Sequence, residues 1–190
     1  MQATELFRTG DRSEWRRWFT ENHSTAKEIW LVFPKKEAGE PYIPYNDAVE
    51  EALCFGWIDG QLSTLDDLHY ARRFTPRRKG SPYSRLNIER LIWLDSEGLL
   101  HPAIEEETRS IRKEEYAFPF DILDEIRADE DTWENFQSFT EPYKRIRIAY
   151  IDSARNRPEE FRKRLDSFLR MTAQGKTIDG YGGAEKYYRQ

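Results

Sequence analysis

The chain is poor in the residues from which most active sites and exported scaffolds are built. Among its 190 residues there is one cysteine, Cys54, so no internal disulfide can form and no cysteine-based zinc site can be assembled. The three histidines, His23, His69 and His101, show no H-x-H, H-x-x-x-H or H-E-x-x-H spacing, so neither a metal nor a cofactor is expected. There is no G-x-S-x-G elbow, no G-x-G-x-x-G turn and no G-x-x-x-x-G-K-S/T loop. The one glycine cluster, at residues 180–183, follows the last helical pattern instead of opening one. Ordinary hydrolase and nucleotide-binding chemistry therefore finds no footing. Long apolar runs are missing too. The longest, Ile29 to Phe33, falls far short of the roughly 18 residues a membrane span needs. The first residues, Met-Gln-Ala-Thr-Glu-Leu-Phe-Arg, lack a basic segment followed by an apolar one, so the expected location is the cytoplasm.

What the chain has in quantity is aromatic rings and charge. Six Trp, ten Tyr and eleven Phe can each bury about 150–250 Å², enough to specify a folded core although mean hydropathy is −0.89. Apolar residues are 38% of the chain and charged ones 34%, so much of the core must be aromatic. The net charge of −5 is unevenly spread. Residues 69–90 carry seven Lys or Arg against one acid, whereas residues 101–135 carry four basic and twelve acidic side chains. Such blocks form solvated faces, attract one another across a domain contact, or mark an anion site near the basic block.

Periodicity and punctuation order the chain. Asp11-x-x-Glu14 resembles a capping box, and Trp15, Trp18 and Phe19 then repeat at helical spacing up to Asn22. Residues 28–35 are β-branched and aromatic and end at Pro34, which predicts a strand. Pro44 opens a second helix, residues 45–55, with Ala48, Val49, Ala52 and Leu53 as its apolar stripe and Gly56 as its stop. Residues 57–64 and 69–76 read as two strands of an antiparallel hairpin, with Leu65 to Leu68 as the turn. Alternation places Trp57, Asp59 and Gln61 on one face, with Asp59 opposite one of Arg72 to Phe74. Ser84 can cap a helix carrying Ile88, Leu91, Ile92 and Leu99, and a short helix starts at Pro102. Beyond about residue 120 only helical patterns remain, the clearest opening at Pro158 and placing Phe161, Leu165, Phe168 and Leu169 on one stripe. The three tyrosines of the glycine-rich end are expected to pack along a surface. The predicted fold class is α+β. A small antiparallel sheet with helices, residues 1–117, is expected to pack against an all-helical part, residues 118–190.

Two groups of residues invite a chemical reading. Cys54 lies off the apolar stripe, but Glu50 and Glu51 share its side of the helix, and carboxylates disfavour a thiolate, so a buried structural cysteine is the better reading. The stronger group is Trp57, Asp59, Arg72, Arg73 and Phe74 on the hairpin, followed by the loop Arg77-Arg78-Lys79 that runs into a helix. Guanidinium groups bind phosphate or carboxylate bidentately and a helix N-terminus adds to the attraction, so this loop suits an anion. The competing reading is a structural Asp–Arg bridge beside a solvated loop.

These residues also carry a resemblance. Tyr45-Asn-Asp-Ala-Val-Glu-Glu-Ala-Leu-Cys-Phe-Gly-Trp-Ile-Asp-Gly60, Tyr70-Ala-Arg-Arg-Phe-Thr-Pro-Arg-Arg78 and Ser81-Pro-Tyr-Ser-Arg-Leu-Asn87 resemble the YdeI/OmpD-associated, or bacteriocin-protection, family, whose C-terminal module is similar to Tyr143–Lys176. The resemblance implies no defined reaction; the family name implies protection against stress or antimicrobial peptides. The expected site comprises Trp57, Asp59, Tyr70, Arg73, Phe74, Arg77, Arg78, Ser84 and Asn87. In it Asp59 and Arg73 would line a pocket walled by Trp57, Tyr70 and Phe74, for a small anionic or aromatic ligand. Two alternatives stand beside it. One is a nucleic-acid or protein interaction module using the Arg72 to Arg90 face, for which a pI of 5.4 is unfavourable for nucleic acid; the other is a structural adaptor.

Overall fold

The computed structural model describes residues 6–180 and 184–189, which fall into two compact units. The first contains residues up to Pro82 together with Leu94–Arg109; the second contains Tyr83–Trp93 and the chain from Ser110 onward. Strands occur in the N-terminal part, and the C-terminal part is helical.

The first unit is built on a four-stranded sheet of order β1-β2-β4-β3, formed by β1 (Leu6–Phe7), β2 (Ile29–Pro34), β3 (Trp57–Thr64) and β4 (His69–Pro76). Both hairpin strands have the bounds that their composition predicts. β2 and β3 pair antiparallel with β4, while β1 adds a two-residue parallel edge with no strong sequence signal of its own. Two helices, α1 (Arg12–Asn22) and α2 (Tyr45–Cys54), belong to the same unit. Helix α1 begins where Asp11 Oδ1 accepts from Ser13 N at 2.7 Å. The expected reciprocal bond of the capping box runs through a relay. Thr9 Oγ1 accepts from Asp11 N at 3.0 Å and donates to Glu14 Oε2 at 2.6 Å. The stripe Trp15, Trp18 and Phe19 is buried against the sheet, with Trp15 edge-on to Phe74 at 5.3 Å and Trp18 edge-on to Trp57 at 5.5 Å. Truncating Phe19 to alanine in such a nest costs about 3–5 kcal/mol.

Gly56 ends α2 with φ of +75°, and a Cβ there would meet Ile104 Cδ1 at 2.7 Å, so both backbone angle and space demand glycine. Helix α2 buries more than its apolar stripe: Glu50 and Glu51 are 0% and 3% exposed. Their charges are met from α1. Arg12 reaches Glu50 at 2.9 Å and Glu51 at 2.6 Å, and Arg16 reaches Glu51 at 2.7 Å.

Helix α3 (Arg85–Ser96) starts in the second unit, with Ser84 Oγ accepting from Asn87 N at 3.3 Å as its cap. Leu99 falls beyond its last residue. Helix α4 (Pro102–Lys113) is longer than the short helix predicted. Helices α5 (Phe120–Arg127), α6 (Glu130–Ser138), α7 (Glu141–Asp152) and α8 (Pro158–Thr172) make most of the second unit. They close over Ile122, Ile126, Phe136, Tyr143, Ile146 and Phe168. Tyr187 joins that core, fully buried; Tyr181 and the side chain of Tyr188 lie outside the described residues. Among the described residues no helix is long and apolar enough to cross a membrane.

Candidate functional site

The hairpin has two faces, and the expected site residues divide between them. The register pairs Trp57 with Pro76, Asp59 with Phe74, Leu62 with Arg72 and Thr64 with Tyr70, so β3 spends one extra residue between Asp59 and Leu62. That β-bulge, at Gly60-Gln61, shifts the alternation, and Leu62 takes the place on the Asp59 face that strict alternation gives to Gln61. The face turned toward α1 and α2 carries Trp57, Asp59, Tyr70, Arg72 and Phe74. Arg73 stands on the opposite face with Ile58 and Thr75. Asp59 and Arg73 therefore do not share a pocket.

On the inner face the residues serve packing. Tyr45 OH donates to Asp59 Oδ2 at 2.6 Å, and Arg72 Nη1 donates to the same oxygen at 2.9 Å while its guanidinium lies 4.7 Å over the Tyr45 ring. This triangle ties the first residue of α2 to both hairpin strands. Trp57 is buried with its Nε1 donating to His23 O at 3.1 Å, Phe74 is buried against Trp15, and Tyr70 stacks on Phe33 at 5.4 Å. Trp57 and Phe74 are core, without the exposure a pocket wall needs.

The outer face is different. Arg73, Arg77, Arg78 and Lys27 line a groove of about 560 Å³, together with Ile58, Thr75 and Ser81. Arg73 is aimed by Glu28: its Nε donates to Glu28 Oε2 at 2.8 Å and its Nη2 to the same oxygen, while Trp30 Nε1 donates to the other carboxylate oxygen at 3.2 Å. These bonds from Arg73, then Trp30, hold the Glu28 carboxyl below its ordinary range. Arg77 shapes the following loop, since its Nη2 donates to Ser81 O at 3.1 Å and Pro82 O at 3.0 Å, and Gly80 supplies the left-handed turn with φ of +79°. Among the described residues no carboxylate pairs with Lys27 or Arg78, both exposed. Four cations thus converge on one concavity whose lining holds no acid.

The rest of the basic segment does not extend this surface. Arg72 is bound to Asp59, Arg85 meets Glu89 at 2.6 Å, and Arg90, 4% exposed, donates to Asn87 Oδ1 at 2.8 Å. Ser84 and Asn87 belong to the second unit, one capping α3 and the other accepting from Arg90. Cys54 is fully buried, and burial, followed by Glu51, pushes its thiol up to about 12. Lys27 joins the groove, with Glu28 beside it on Arg73, although no motif marks either. They arrive there because β2 pairs with β4 from Ile29 opposite Phe74, a long-range register rather than a local pattern.

The second unit has a cavity of its own, about 330 Å³, between α7, α8 and residues 178–180. Its floor is apolar, with Ile151, Phe168 and Ile178, and its cations Arg147, Lys163 and Arg164 are interleaved with Glu160 and Asp179. Among the described residues no group of three or more His, Cys, Asp or Glu could hold a metal ion.

The fold and the groove together define an α+β protein with a basic concavity on its sheet, whose lining holds no acid, and a second, helical unit. The chain belongs to the family described as Domain of unknown function (DUF8412), whose model matches residues 7–107 and so covers the whole hairpin and groove. Residues 115–175 match a second family model, Bacteriocin-protection, YdeI or OmpD-Associated. The match to the family that the motifs resemble therefore lies in the helical part, while the motif blocks themselves fall under the first model. No curated protein and no solved structure matches the chain.

Proposed function

We propose that the protein binds a small anionic ligand on the outer face of its N-terminal sheet, in the groove of Lys27, Arg73, Arg77 and Arg78. One observation carries the reading: four cations line a single concavity with no carboxylate in the lining, and Glu28 beside it is spent on orienting Arg73. A surface whose only role is solubility disperses or pairs such charges, because converging like charges repel. Guanidinium forks held by fixed partners are preorganised for the oxygens of phosphate or carboxylate.

Nucleic acid is the weaker reading of the same charge. Three of the seven basic residues in 69–90, namely Arg72, Arg85 and Arg90, are held by Asp59, Glu89 and Asn87, so the basic surface is a groove and not an extended strip. The lining also offers no ring on which bases could stack. We place this binding in the cytoplasm and in protection against stress or antimicrobial peptides, a role of which the printed name of the second matching family supports only bacteriocin protection. The test is calorimetric titration with inorganic phosphate. Arg77→Ala is expected to lose binding about tenfold or more, and Arg77→Lys to recover little of it because the planar fork is gone. Unchanged affinity in Arg77→Ala, or no phosphate binding by the wild type, removes the reading.

A further inference from the structure

We infer that Ser81 is a phosphorylation site, and that a phosphate placed on it occupies the basic groove and closes it to free anions. The inference rests on the anion-binding reading above and adds its regulation. Its first ground is the sequence around the serine. Arg77-Arg78-Lys79-Gly80-Ser81-Pro82 sets three cations two to four residues ahead of a hydroxyl. Protein kinases choose their acceptors by charge pattern, and a kinase whose cleft is acidic selects such a run.

The second ground is where the fold puts that serine. Ser81 follows β4 in a loop whose Arg78, Lys79, Gly80 and Pro82 are exposed. Its Oγ makes no hydrogen bond among the described residues, whereas its backbone is in use: Ser81 N donates to Arg78 O at 3.0 Å, and Ser81 O accepts from Arg77 Nη2 at 3.1 Å. These bonds join residues of one loop, so a kinase can extend the acceptor segment without breaking a strand pairing. Thr75 supplies the contrast. It too has two arginines ahead of it, Arg72 and Arg73, a proline behind it and a place in the groove lining, but it pairs with Ile58 in the ladder of β3 and β4. Reaching Thr75 would mean opening the sheet.

The third ground is what the new group would meet. Ser81 lines the concavity together with Lys27, Arg73 and Arg78, and the lining holds no acid to repel a phosphoserine of about −2 charge. A phosphate set among arginines gains about one to three charge-assisted hydrogen bonds. Because it is tethered, it acts at an effective concentration on the order of millimolar, which a free anion must outcompete. In the transfer, Ser81 Oγ bonds to the γ-phosphorus of a nucleoside triphosphate and the bond from that phosphorus to the β,γ-bridging oxygen breaks. The nucleoside diphosphate leaves, and the hydroxyl proton passes to the catalytic carboxylate of the kinase.

The full-length protein can be incubated with ATP, magnesium and a purified serine/threonine kinase that prefers basic acceptor segments, and the modified residue mapped by mass spectrometry. Phosphate is expected on Ser81 and not on Thr75, with Ser81→Ala removing it. Calorimetric titration with orthophosphate then compares the two forms. The unmodified chain is expected to bind, and the phosphorylated chain to bind about tenfold more weakly or worse. A second readout needs no ligand: by phosphorus-31 NMR the second ionisation of the phosphoserine, near 6 when solvated, is expected to fall to about 5, and Lys27→Gln to return it partway. Failure of the kinase to modify Ser81 overturns the inference. So does a Ser81 phosphate that ionises near 6 or leaves orthophosphate affinity unaltered, and anion binding by the unmodified chain survives either result. No orthophosphate binding by the unmodified chain takes down the underlying reading, and the switch with it.

Discussion

Two concavities of this protein, one in each unit, show how arrangement decides what a charged surface can do. In the cavity of the helical unit the cations Arg147, Lys163 and Arg164 are interleaved with Glu160 and Asp179 over an apolar floor. Arg164 is committed there, donating to Glu160 at 2.8 Å and to Tyr150 O at 2.7 Å while stacking on the Tyr150 ring. In the groove of the sheet unit four cations meet with no acid in the lining. The first pattern pairs charges within the helical unit; the second is the one on which the proposed anion binding rests. Elsewhere the helical unit repeats its habit, with Arg155 bound to Asp121 and Asp152, and Arg162 to Glu125 and Asp166.

The largest expected effect tests whether ion pairs matter equally in the two units. Arg12→Ala leaves Glu50 and Glu51 buried with their main partner gone, and should destabilise the protein by roughly 3 kcal/mol in a denaturant titration. Arg155→Ala removes an exposed pair in the helical unit and should cost about 1 kcal/mol or less. Similar losses for both would break the comparison, because burial would then not govern what a pair is worth.

A middle-sized effect concerns Cys54. With its thiol pushed up to about 12 by burial and then by Glu51, alkylation near neutral pH should be slow in the native state and fast only on unfolding. Rapid labelling of the folded protein would mean that the α2 end is open.

The smallest concerns the hairpin turn. His69 Nδ1 lies 2.8 Å from Asp66 Oδ1 and Nε2 lies 3.1 Å from Glu40 Oε1, so hydrogen bonds to Asp66, then Glu40, raise the imidazolium above its ordinary pKa. A group whose folded pKa is raised contributes stability that is fully present below its unfolded value, near 6.5, and is lost as pH rises through the folded value. Amide exchange at the turn should therefore be slower relative to its intrinsic rate at pH 6 than at pH 8. His69→Gln should abolish that difference, and an unchanged difference would clear His69 of the role.

How much of this is legible in the sequence follows from range. Asp11 and Ser84 act within three residues, so both helix starts can be read directly, and the hairpin strands are set by β-branched and aromatic runs around one turn. The placement of Asp59 opposite Phe74 also lies within reach of counting from that turn. Counting fails at the bulge, because one extra residue at Gly60-Gln61 moves everything after it and no local signal fixes which strand carries it. It fails again for Glu50 and Glu51, whose neutralising arginines are more than 30 residues away. The groove is half legible. The Arg73 to Arg78 run suggests the proposed anion site, but Lys27 and Glu28 reach it only through the pairing of β2 with β4.

The most direct test of the central claim is a nitrogen-15 NMR titration of the full chain with pyrophosphate. The predicted result is saturable shifts of the amides of Lys27, Arg73 to Arg78 and Ser81, with Tyr150, Arg164 and Ser167 around the helical cavity unmoved. Shifts confined to the helical cavity, or none at saturating pyrophosphate, would contradict it.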